Sequence, residues 1–213
     1  MILVTGRKRC VSTETAVEIS HVVHLSKKKE ASAPSEETDA RDKATSYFEH
    51  TAKHNIQHPS RALIVGVFQN QPLEYILQQQ KLLALDVVQL HGQEPLEWAQ
   101  LIPVPVIRSF TPSDAGISSP GLHSLPLLDY GGGGTGQQLD TSKVADLLRK
   151  DEGLRILFAG GLNAENVGKL IESLGEVKSR VVGVDVSSGV ETDGEQDLAK
   201  IEAFVKAAKG IAL

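Results

Sequence analysis

Two segments near the C-terminus, Leu157-Phe-Ala-Gly-Gly-Leu-Asn163 and Val181-Val-Gly-Val-Asp-Val-Ser-Ser-Gly-Val-Glu191, hold residues suited to binding an anion. Each is a short apolar run that stops at Gly or Ser-Gly and opens into a helix, and the two lie one strand–helix unit apart. Turns without bulky side chains let backbone N–H groups approach a phosphate, and the helix that follows adds the positive end of its dipole. The candidate phosphate ligands are Gly160, Gly161, Ser188 and Gly189, acting through backbone N–H groups, with Asn163 and Ser187 as neighbours. In an eightfold α/β barrel the loops after strands seven and eight commonly form such a site. The partner this implies is a small phosphorylated metabolite.

These loops need rigid elements behind them. Residues 1–4 read as the end of a buried strand and Thr5–Cys10 as a polar turn. Ser12 reads as the cap of a helix with Ala16, Ile19, Val22 and Val23 at helical spacing. From Ala62 a regular alternation predicts strands at 62–68, 86–91, 105–110, 125–129, 155–159 and 181–186. Between them fall helices from Pro72, from Glu94 to Leu101, from Asp140 to Leu148, at 164–174 and at 197–209; the last sets Leu198, Ile201, Phe204, Val205 and Ala208 on one face. Near-continuous apolar strands alternating with helices mean a parallel α/β sheet.

Between Lys27 and Pro59 the composition changes to Lys, Glu, Ser, Ala, Asp and His, with Tyr47, Phe48 and Ile56 as the bulky apolar residues. Such a stretch buries too little surface to offset its ordering entropy, so 27–59 reads as a disordered insertion with a helix near 40–54. Setting it aside leaves about 180 residues, short for eight units of ~31 residues each. The expectation is one domain over 1–213, a (β/α)8 TIM barrel that lacks its first strand and helix.

Net charge is −5, from 22 basic and 27 acidic residues, which gives no electrostatic ground for nucleic acid or an anionic membrane as partner. Lys27-Lys28-Lys29 reads as a solvated loop. No apolar run approaches the ~20 residues of a membrane span, and Met1-Ile-Leu-Val4 lacks the basic and apolar regions of a signal peptide. Cys10 is the sole cysteine, so no intrachain disulfide can form, and a cytoplasmic setting fits.

Five pieces occur in a telling order: Val65-Gly-Val-Phe-Gln-Asn70, Val88-Gln-Leu-His-Gly92, Leu127-Leu-Asp129 with Gly133-Gly-Thr-Gly136, Ala159-Gly-Gly-Leu-Asn163 and Val184-Asp-Val-Ser-Ser-Gly-Val-Glu191. Together they resemble the phosphoribosylanthranilate isomerases, tryptophan-pathway enzymes with the (β/α)8 fold. The resemblance implies an Amadori rearrangement. A general acid protonates the ribose ring oxygen and opens the ring to a Schiff base, and a general base then removes the C2 proton. One acid and one base suffice, without metal or nucleotide cofactor. Fungal members of that family often form the last domain of a longer multifunctional chain, so fusion to other tryptophan-pathway domains is implied as well.

By the same resemblance Asp129 is the acid, since a carboxyl at the C-terminal end of a barrel strand stands where catalytic groups sit in this fold. The family's base is a cysteine in a Lys-Ile/Val-Cys-Gly motif closing the first strand, and this sequence contains no such motif. The first reading therefore takes Met1 to lie one strand–helix unit downstream of the native start. Cys10 aligns with the second loop and reads as a bystander thiol. Arg9 matches a basic residue of the family and suits the anthranilate carboxylate through a forked pair. His91 lines the pocket at its strand end, and Asp185 is an orienting carboxylate. Gly131–Gly136 is a flexible lid over Asp129 rather than a dinucleotide fingerprint, because the G-x-G-x-x-G order is absent. His50, His54 and His58 recur every four residues, but no cysteine or carboxylate completes a zinc set, so no metal site is expected.

Two rivals stay open on the sequence. One is a noncatalytic phosphate-binding barrel fragment that needs a partner chain to cover its sheet edges. The other is a different phosphate-binding barrel enzyme, such as a sugar-phosphate epimerase or indoleglycerol-phosphate synthase.

Overall fold

A computed structural model describes residues 1–4, 9–26, 46–56, 62–129 and 140–211. Its parallel strands are β1 (Val65–Phe68), β2 (Val87–Leu90), β3 (Val106–Phe110), β4 (Leu125–Leu128), β5 (Ile156–Phe158) and β6 (Val181–Val184). The helices are α1 (Thr13–Leu25), α2 (Tyr47–Thr51), α3 (Leu73–Leu82), α4 (Thr141–Lys150), α5 (Val167–Glu172) and α6 (Leu198–Lys209). The chain forms two compact units, Met1–Arg108 with Ser119–Leu125 and Ser109–Ser118 with Pro126–Leu213.

In the first unit β1 pairs with β2 from Val65↔Val87 to Phe68↔Leu90, and β2 pairs with β3 from Val88↔Val106 to Leu90↔Arg108. Met1–Val4 lies along β1 as a strand end: Ile2 bridges Val67, Leu3 N–H donates to Val67 O at 3.0 Å, and Val67 N–H donates to Met1 O at 2.8 Å. Its other edge is taken by the chain itself, since Ile2 also bridges Cys10 and Val11 N–H donates to Ile2 O at 3.0 Å. Phe68, Ile76, Leu83, Leu85, Val88 and Leu90 form the core under α3, joined by Ala16 of α1. Ser12 caps α1 through Thr15 N–H, as its position in the sequence predicts. Val22, however, is 64% exposed. At about 100° per residue it stands ~120° around the helix from Ala16, outside the stripe that reaches the core.

Part of the stretch read as disordered is docked onto this unit. Ser46 caps α2, which runs on as a π-helical turn over Ala52–Ile56. Phe48 is buried and its ring lies 5.2 Å from that of buried His123, stacked at 18°, while Thr51 Oγ1 donates to Ser124 O at 2.6 Å. One aromatic ring and one hydroxyl hold this short piece because Ser119–Leu125 offers a preformed surface. Lys27–Lys29, the rest of 27–45 and His58 lie outside the described residues.

The segment after β2 is also not the α-helix expected from Glu94 to Leu101: it is a single 3-10 turn, Leu96–Gln100. Pro95 precedes it, Pro103 and Pro105 follow, and the carboxylate of Glu94 is engaged elsewhere, so no longer helix has room.

In the second unit β4 pairs with β5 from Leu127↔Leu157 to Leu128↔Phe158, and β5 with β6 from Ile156↔Val181 to Phe158↔Val184, with an irregularity after Ile156. Asp140 caps α4, whose Val144, Ala145 and Leu148 are buried. The helix expected at 164–174 is shorter in its α-helical part, Val167–Glu172, and is followed by a 3-10 turn, Gly175–Arg180, entered through Gly175 at φ 64°. α6 buries Phe204, but Leu198 and Val205 are exposed, about 120° and 100° from it around the helix. Before α6 runs a hairpin of β7 (Glu191–Thr192) and β8 (Glu195–Gln196), closed by Asp193 and Gly194 with φ of 52° and 82°, the type I′ geometry.

Asp197 caps α6: its Oδ1 accepts from Ala199 N–H at 2.9 Å and Lys200 N–H at 3.2 Å, and its Oδ2 accepts from Thr192 Oγ1 at 2.7 Å. The Thr192 hydroxyl first, and then the Lys200 amide, hold its carboxyl below the ordinary aspartate range. A carboxyl with a lowered folded-state pKa stabilises the fold above its ordinary pKa and loses that contribution as pH falls through the lowered value. Asp197→Ala should therefore lower Tm by a few degrees near pH 7, and the gap to wild type should close as melts are repeated toward about pH 3.

Candidate active site

Four residues that follow strand ends are placed by one recurring bond. The N–H of His91 donates to Phe68 O at 2.9 Å, that of Asp129 to Phe110 O at 3.1 Å, that of Ala159 to Leu128 O at 2.9 Å, and that of Asp185 to Phe158 O at 2.9 Å. Parallel pairing slants its hydrogen bonds, so the last carbonyl of one strand reaches the first residue beyond the next. Each of these positions stands at the carboxyl end of its strand.

In the first unit, Leu90 belongs to the core under α3, so by strand alternation His91 faces the other side of the layer. Its Nδ1 lies 3.4 Å from Nε2 of Gln89, which is buried two residues earlier on that same face. Arg9 and Cys10 stand exposed in the turn before α1. The loop holding His91 is braced by residues that the motif reading did not single out. The side chain of Glu94, fully buried, accepts from Asn70 N–H at 2.7 Å and Gly92 N–H at 2.9 Å and pairs with Arg108 at 3.4 Å. The signal for this was a lone arginine inside the apolar strand Pro105–Phe110, because a buried guanidinium requires an acidic partner.

In the second unit, Asp129 is half-buried at the end of β4. After β5 the backbone turns through Gly160 at φ 93° and Gly161 at φ 65°, a left-handed pair that glycine adopts without strain. Asn163 then turns the chain toward α5, its Oδ1 accepting from Glu165 N–H at 2.9 Å and Asn166 N–H at 3.0 Å, while Asn166 Nδ2 donates back to Gly161 O at 2.9 Å. After β6 come exposed Asp185 and a 3-10 turn, Ser188–Val190. This second loop does not open directly into the long helix that the sequence suggested, since the Glu191–Gln196 hairpin stands between them. The two glycine loops meet backbone to backbone: a Cβ on Gly189 would lie 1.8 Å from Leu162 O. Gly160, Gly161, Ser188 and Gly189 are thus brought together at the ends of β5 and β6, beside the strand that presents Asp129. Gly131–Gly136 lies outside the described residues.

The rings of His50 and His54 are 4.6 Å apart, and among the described residues no group of three His, Cys, Asp or Glu side chains could hold a metal ion. None of the described helices is long and apolar enough to cross a membrane.

Parallel strands alternating with helices, with polar or glycine-rich loops at the strands' carboxyl ends in each unit, define an α/β protein of the (β/α)8 type. The family model of N-(5'-phosphoribosyl)anthranilate (PRA) isomerase matches residues 11–207. The multifunctional tryptophan biosynthesis protein of Schizosaccharomyces pombe is 42% identical over 213 residues, which is 98% of this chain and 26% of that protein. The N-(5'-phosphoribosyl)anthranilate isomerase of Lipomyces starkeyi is 44% identical over 148 residues, 67% of this chain and 57% of that one. The crystal structure of phosphoribosyl anthranilate isomerase from Thermus thermophilus aligns with a TM-score of 0.68 at 26% identity, covering 97% of this chain and 84% of that one. This chain belongs to the N-(5'-phosphoribosyl)anthranilate isomerase family. It spans about a quarter of the first of these relatives and just over half of the second.

Gly189→Ala tests the contact between the two glycine loops. Leu162 O is backbone and cannot swing aside, so the variant should lose about 1–3 kcal/mol of stability in urea unfolding. An unchanged midpoint would show that the loops do not pack this closely.

Proposed function

We propose that the chain catalyses the Amadori rearrangement of N-(5-phosphoribosyl)anthranilate to 1-(2-carboxyphenylamino)-1-deoxyribulose 5-phosphate, a step of tryptophan biosynthesis. The observation that carries this reading is the common ladder of strand-end bonds that sets Asp129, the turn before Gly160 and Asp185 at successive carboxyl ends. Gly160, Gly161, Ser188 and Gly189 hold the substrate phosphate through backbone N–H groups, and Asp129 protonates the ribose ring oxygen. Ring opening leaves a Schiff base, loss of the C2 proton gives the enolamine, and the enolamine relaxes to the ketone. Arg9 pairs with the anthranilate carboxylate, His91 lines the sugar side, and Asp185 orients the loop that carries Ser188. The base is the one role for which these 213 residues offer no family motif, so fast turnover requires a Lys-Ile/Val-Cys-Gly strand in addition.

The proposal has two further parts. The domain works in the cytoplasm, and it does so in physical linkage with other enzymes of tryptophan synthesis, as in the S. pombe relative that is named multifunctional.

The test is conversion of N-(5-phosphoribosyl)anthranilate by this chain, alone and extended by a strand and helix carrying Lys-Val-Cys-Gly. The extended form should turn over, and the 213-residue form should run about 10²–10⁴-fold slower or not at all. Asp129→Asn in the extended form should abolish turnover. Activity within about tenfold of its parent, a barrier change of only ~1.4 kcal/mol, would sink the assignment of the acid.

A further inference from the structure

We infer that Glu94 and Arg108 are positioning residues that fix where His91 stands; this rests on the reading above, in which His91 lines the substrate pocket. Glu94 is a carboxylate whose side chain is 0% exposed, and it bonds to the two loops after β1 and β2 and to Arg108. Its Oε1 accepts from Asn70 N–H at 2.7 Å, and its Oε2 accepts from Gly92 N–H at 2.9 Å and from Arg108 Nη1 at 3.4 Å. Arg108 Nη2 in turn donates to Gly92 O at 3.2 Å. Gly92 is therefore held by its donor through Glu94 and by its acceptor through Arg108. His91, one residue back, has its own N–H on Phe68 O at 2.9 Å. The His91 backbone is thus tied at its own amide and at the residue that follows, and its ring faces Gln89.

Asn70 closes the brace from the other loop. Its backbone sits at φ 61°, and its Oδ1 accepts from Gln93 N–H at 2.7 Å. A Cβ on Gly92 would fall 2.3 Å from that Oδ1, so the loops touch at a point that admits glycine alone. A buried ion pair is a poor way to gain stability, since apolar side chains of similar volume often do as well or better. It is a good way to fix direction, because a guanidinium and a carboxylate bond at defined angles.

The experiment uses the form of the chain that turns over phosphoribosylanthranilate, with Glu94→Gln, Arg108→Met and Arg108→Lys. Two readouts go beyond stability: the split between KM and kcat, and the imidazole resonances of His91 by NMR. Positioning predicts a KM raised on the order of tenfold or more, since small displacements are costly at a site. It also predicts shifted His91 signals and partial recovery in Arg108→Lys over Arg108→Met. In a His91→Ala background, Glu94→Gln should then cost little more, because the two act through one residue. Lower Tm with native KM, native kcat and unmoved His91 resonances would overturn the inference, as would an undiminished Glu94→Gln effect in the His91→Ala background. If Arg108→Met does not fold, Glu94→Gln and Arg108→Lys preserve side-chain bulk and carry the test. If even the parent chain shows no turnover, the functional reading fails by itself. The resonances then decide the inference, shifted signals supporting it and unmoved ones refuting it.

Discussion

The structure depends on a bond that recurs at four strand pairs: the last carbonyl of a strand accepting from the first amide beyond its neighbour. An antiparallel sheet could not repeat it, because its strands end alternately at opposite edges. Parallel strands end together, and the slant of their bonds carries one residue of each loop into the ladder. Before three of these positions stand Leu90, Leu128 and Phe158, buried at 1%, 0% and 0% exposure, which anchor their strands. A polar side chain that comes next is thus presented by backbone that cannot drift. This is how an apolar scaffold holds His91, Asp129 and Asp185 at strand ends.

The two units secure their loops by different physics. At the ends of β5 and β6 the device is closeness: two glycines with left-handed backbone and a third whose missing Cβ lets a carbonyl approach. At the ends of β1 and β2 the device is charge, with a carboxylate and a guanidinium gathering amides and a carbonyl from both loops. Close backbone packing suits a place where amides must stay available for an incoming group. Internal ion pairing suits a place where they are used up.

Much of this was legible in the sequence. The strands fell within a few residues of their observed ends, and the caps at Ser12 and Asp140 were read correctly, because apolar runs and short polar side chains act locally. What could not be read was long-range or marginal. Glu94 and Arg108 are fourteen residues apart and meet only because β2 and β3 pair in parallel. Val22, Leu198 and Val205 fit a helical pattern by spacing, yet lie at the margin of the stripe that neighbouring elements cover. The α2 segment falls within the helix expected near 40–54 in a disordered insertion, and it packs because Phe48 finds His123 far along the chain. The hairpin before α6 is a local feature left unread: Asp193-Gly194 is a strong turn signal, hidden by strands of only two residues each.

The buried carboxylate of Glu94 also divides labour among the loops. It occupies amides that would otherwise form a concavity for a negative group, so the protein fills one such seat with an anion of its own.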